Sequence, residues 1–67
     1  MDIQVGQKYG LFDKDGLEGV YRVCDVCGLY VELVNVRDKS SLALCGRQEF
    51  ERAVQDRTWR AVPPCFS

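Results

Sequence analysis

A small, mainly β domain is what this 67-residue sequence predicts: a barrel of about five strands with one short helix before the last. Residues 19–36 hold two β-branched, aromatic-rich segments on either side of Cys27-Gly28, the pattern of a hairpin that carries most of the core. Polar turn clusters recur at close spacing, at Asp13-Lys14-Asp15-Gly16, Arg37-Asp38-Lys39-Ser40 and Gln55-Asp56-Arg57-Thr58. Short strands joined this way reduce their exposed edges by closing on themselves. A single domain is expected, ordered over about residues 5–62, with a tail at 63–67.

The elements follow in order. Val5 to Phe12 is the first strand, interrupted by Gly6 and Gly10. Asp13 to Gly16 turns the chain, because Asp bonds its own backbone and Gly accepts positive φ. A calcium loop is excluded there, since the glycine comes too early and no acidic residue closes the loop. For the hairpin, a three-residue loop of Val26-Cys27-Gly28 with Gly28 left-handed puts Tyr21 and Val23 on the face of Val31 and Leu33. The opposite face then carries Arg22, Tyr30, Glu32 and Val34. A two-residue Cys27-Gly28 turn would bury Arg22 instead, the less favourable outcome. Ser41 to Cys45 is the next strand. Gly46 is the expected N-cap of a helix over Arg47–Val54, with Glu49 reaching back in a capping box. Phe50, Ala53 and Val54 share one helical face and should meet the sheet. Trp59 to Val62 is the last strand, ended by Pro63-Pro64. The expected core is Val5, Tyr21, Val23, Val31, Leu33, Leu42, Leu44, Phe50, Val54 and Trp59.

Composition narrows the function. Hydrophobic residues make up 46% and charged residues 28%, the balance of a globular domain. The net charge is −1, so no general attraction to nucleic acid follows. Met1-Asp2-Ile3-Gln4 shows no basic region followed by an apolar run, and no apolar stretch approaches a membrane span. A cytoplasmic protein without stable disulfides is therefore expected. Histidine is absent, which removes the commonest general base and the commonest zinc ligand. No glycine-rich phosphate loop exists. The acidic cluster Asp13, Asp15 and Glu18 reads as a solvated turn, so no catalytic residue is expected and the protein should not be an enzyme.

The segments Gly19-Val20-Tyr21-Arg22-Val23, Gly28-Leu29-Tyr30-Val31-Glu32-Leu33, Gln48-Glu49-Phe50-Glu51 and Trp59-Arg60 together resemble small Src-homology-3-like barrels. More narrowly they are similar to short uncharacterised bacterial and phage proteins of that type. The likeness spans about residues 5–62 and implies a fold and a binding role. The proline-binding groove of eukaryotic members has no counterpart, because no Ala-Leu-Tyr-Asp-Tyr segment is present. What the resemblance implies is a non-enzymatic protein-binding module, a phage or mobile-element accessory that inhibits or adapts a host complex.

Within that reading the partner-binding residues are Tyr30, Arg22, Glu32 and Val34. Tyrosine is enriched at interface hot spots, and an exposed Val34 beside it makes an apolar patch. A homodimer, through a sheet edge or the Tyr30 face, is also compatible with so small a core. The alternative partner is nucleic acid, held by Arg47, Arg52, Arg57 and Arg60, although Glu49, Glu51 and Asp56 interleave with them. No cofactor is expected. The alternative is zinc on Cys24, Cys27, Cys45 and Cys65, the number of thiols a tetrahedral site needs. Only Cys24 and Cys27 have C-x-x-C spacing, so half the signature is missing. On the plainer reading Cys24 and Cys45 are small core residues in strands, Cys27 caps the hairpin and Cys65 lies in the tail.

Overall fold

The computed structural model describes residues 3–63. It contains five antiparallel strands in one sheet and a single helix: β1 (Lys8–Asp13), β2 (Gly16–Val26), β3 (Tyr30–Asn35), β4 (Leu42–Gly46), α1 (Arg47–Gln55) and β5 (Trp59–Ala61). The spatial order is β4-β3-β2-β1-β5. Among the described residues β4 and β5 do not pair, so closure by a ladder, as expected of a full barrel, is absent. Instead α1 connects these two edge strands and packs on β3, β4 and β5.

Each turn has its own chemistry. Lys14 and Asp15 form a two-residue hairpin in which Asp13 Oδ1 accepts the Asp15 amide at 2.7 Å. Gly16 follows at φ +109°, a conformation costly for other residues. The first strand starts later than the sequence suggests, because Val5 and Gly6 belong to a turn with Gly6 at φ +92°. Val5 consequently leaves the expected core and stands 64% exposed. After β3, Asn35 Oδ1 accepts the amides of Arg37 and Asp38 at 2.8 and 2.9 Å, turning the chain toward β4. The helix begins without a side-chain cap, so the expected box between Gly46 and Glu49 is not formed. The Arg47 amide donates to the Leu29 carbonyl at 2.8 Å instead, tying the helix start to the hairpin tip. At its far end Arg57 takes φ +69°, its amide bonds Val54 O, and the Thr58 amide bonds Ala53 O. That is the Schellman arrangement, here without the usual glycine.

The central hairpin reaches the expected sidedness by a different route. Val26 pairs with Val31, so the connection is the four residues 27–30, and Gly28 is not left-handed. A four-residue connection alone would have the wrong parity, turning Arg22 and Cys24 toward the core. A bulge between Val23 and Asp25 adds one residue to β2 and restores the alternation. Beyond it Val23 pairs with Leu33, Arg22 with Val34 and Tyr21 with Asn35.

The core lies between the inner sheet face and α1. Val23, Val31 and Leu33 are fully buried, with Ile3, Tyr9, Phe50 and Trp59 around them. The rings interlock: Tyr9 meets Phe50 edge-on at 5.0 Å, Phe50 lies 5.5 Å from Trp59, and Tyr21 meets Trp59 edge-on at 5.3 Å. Tyr21, Ala53 and Val54 are half-buried against this cluster. The sequence-derived core therefore needs three corrections and three additions. Leu42 and Leu44 stand 63% and 65% exposed, as Val5 does, whereas Ile3, Tyr9 and Val20 are buried. In β4 it is the small residues Ala43 and Cys45 that face inward, opposite Leu33 and Val31.

Candidate functional site

The alternation of β2, β3 and β4 builds an outer face opposite the core. Arg22, Val34 and Leu42 lie in one row across the three strands. Glu32 and Leu44 are paired in the next row, and Tyr30 is paired with Gly46 at the end of β3. Leu42 and Leu44 thus adjoin Val34 in an apolar stripe that reaches the sheet edge. Beside Val34 an open depression of about 200 Å³ is lined by Lys8, Arg22, Asn35, Val36 and Lys39. One flank of the stripe is therefore cationic, and Glu32 stands on the other.

The residues expected to bind a partner are all placed on or beside this face. Arg22 is exposed, Glu32 and Val34 are half-buried, and Tyr30 is 42% exposed. Tyr30 is also held by its backbone, since its carbonyl accepts the Cys27 amide at 3.0 Å and its amide donates to Cys27 Sγ at 3.3 Å. Sequence reasoning assigned Leu42 and Leu44 to the core. The usable signal was the alternation of large and small residues in Leu42-Ala43-Leu44-Cys45: under a bulky Phe50 the small positions are the ones that fit inward.

The cysteines fall in separate environments. Cys24 lies at the bulge, donating to Glu32 O and Glu32 Oε1, each at 3.5 Å. Desolvation raises its pKa, and the Glu32 carboxylate raises it further. Cys27 accepts the Leu29 and Tyr30 amides, so its sulfur organises the hairpin tip. Cys45 is inward, packed on the core, and its thiol is pushed up by burial and then by the Glu49 charge. Cys24 and Cys45 thus sit on opposite faces of the sheet. Among the described residues no three His, Cys, Asp or Glu side chains are grouped to share an ion. Cys65 lies outside the described residues.

The four arginines are dispersed in role. Arg47 donates to Cys27 O at 3.1 Å and pairs with Glu51 at 3.4 Å. Arg60 stacks its guanidinium 4.1 Å over the Phe12 ring and donates to Arg57 O at 2.9 Å. Arg52 and Arg57 are exposed. No charged side chain is buried among the described residues, and no helix there is long and apolar enough to cross a membrane. Comparisons of the chain with protein-family models, curated proteins and solved structures find no match.

Proposed function

We propose that this protein is a non-enzymatic protein-binding module whose contact surface is the outer face of β2, β3 and β4. The observation that carries the reading is the exposed apolar stripe of Val34, Leu42 and Leu44, flanked by Arg22 and by Glu32 and ended by Tyr30. Contiguous apolar surface rimmed by charge marks protein interaction sites. The partner's complementary patch is apolar, with an acidic group set against Arg22 and Lys39. The meander with a helix before its last strand supports a Src-homology-3-like relationship, and that resemblance is what points to a phage or mobile-element accessory acting on a host complex.

Nucleic acid is the less economical reading, because Arg47 and Arg60 are engaged within the chain and acidic residues alternate with the arginines. Zinc is disfavoured because the sheet separates Cys24 from Cys45. The test is affinity capture from host lysate with four matched baits. Wild type should retain a partner that Tyr30→Ala and Val34→Glu lose, while Val5→Ala, altered away from the face, keeps it. Equal capture by all four forms removes the outer face from the account.

A further inference from the structure

We infer that the β4 edge binds the β4 edge of a second copy of this chain, joining the two sheets antiparallel across a two-fold axis. The alternation of bonds in the β3–β4 ladder leads there. Asn35 N donates to Ser41 O and Arg47 N to Leu29 O, which sets 41, 43, 45 and 47 as the positions bonded to β3. The backbone N–H and C=O of Leu42 and Leu44 therefore point out of the sheet edge. No other backbone group of the described residues bonds to them.

Edge strands are normally blunted by lysine, proline, brevity or a bulge. The other edge of this sheet follows that rule: β5 has three residues, carries Arg60 and runs into Pro63. By contrast β4 has none of these devices. Leu42–Gly46 contains no charge, no proline and no bulge, and its two leucines are exposed. A strand without charge selects no differently charged partner, but it is complementary to itself. An antiparallel two-fold pairing sets Leu42 against the Leu44 of the other copy, or Leu44 against Leu44, and both registers match the outward backbone groups. It also brings the turn carrying Asp38 and Lys39 toward the partner helix start carrying Arg47 and Glu49, so acid and base occur on both sides. The pairing is isologous and uses each β4 once, so it stops at two chains.

This inference uses the strand edge and does not depend on the outer face having another protein partner. Sedimentation equilibrium under reducing conditions, from micromolar to millimolar chain, is the test. The expected result is a monomer–dimer equilibrium with no larger species. In Leu44→Lys the dissociation constant should rise on the order of 100-fold, because both copies then bring a cation to one seam. Hydrogen exchange on wild type covers the case in which that variant misfolds: Leu42 and Leu44 amides should gain protection as concentration rises. A wild type that stays monomeric, an assembly that grows beyond two, or concentration-independent exchange of those amides would overturn the inference.

Discussion

Phe50 anchors the core, since its ring meets both Tyr9 and Trp59 and is 1% exposed. Phe50→Ala should cost about 3–5 kcal/mol in urea unfolding, the usual loss for emptying a buried aromatic site. Leu29→Ala, at a position 80% exposed, should change stability by less than about 0.5 kcal/mol. Arg57 illustrates strain at a single residue. Its φ of +69° is one that glycine adopts freely, so Arg57→Gly should stabilise the fold by about 1 kcal/mol, read as a higher urea midpoint. The thiols give a pH dependence of definite sign. Cys24 and Cys45 have folded pKa values raised above 9.0, so the folded state disfavours the thiolate. Stability is held below pH 9 and is lost as pH rises from there through the folded values. A Cys24→Ala/Cys45→Ala protein should show a shallower alkaline decline in melting temperature than wild type, and identical declines would exclude these thiols as its source.

At the scale of elements, the hairpin shows how a correct sidedness can arise from local geometry that residue patterns do not reveal. The alternation in Tyr21-Arg22-Val23 and Val31-Glu32-Leu33 dictates which side chains are buried, because placing Arg22 inside would strand a charge. Loop length and bulge position are two compensating single-residue choices, so the pattern constrains their sum and not each one. That is why a three-residue loop and a four-residue loop with a bulge predict the same faces. Deleting Cys24, the added residue, should leave a regular ladder in which Val23 still meets Leu33 and Arg22 still faces outward, so a cooperative unfolding transition with native near-ultraviolet dichroism should be retained. Loss of that transition would show that the bulge does more than correct the parity. For β4 the pattern Leu-Ala-Leu-Cys is apolar on both faces, and hydrophobicity alone could not orient it. The deciding fact, the space left beneath Phe50, is tertiary. The helix was legible from Phe50, Ala53 and Val54, while its start is held by the Leu29 carbonyl, a contact made across the chain.

For the whole molecule, the consequence is a sheet with one dry face and one face open to partners. The aromatic core and α1 occupy the inner side. The outer side keeps Val34, Leu42 and Leu44 in view, with Arg22, Glu32 and Tyr30 around them. Both the proposed contact surface and the exposed β4 edge depend on one added residue in β2 and on the β3–β4 register. Nuclear Overhauser contacts between α-protons test this most directly, because residues opposite one another in a non-hydrogen-bonded pair lie about 4.5 Å apart at Cα. The account predicts strong contacts between Val23 and Leu33, between Val34 and Leu42, and between Glu32 and Leu44. A contact of Val23 with Val31, or of Cys24 with Leu33, would contradict it.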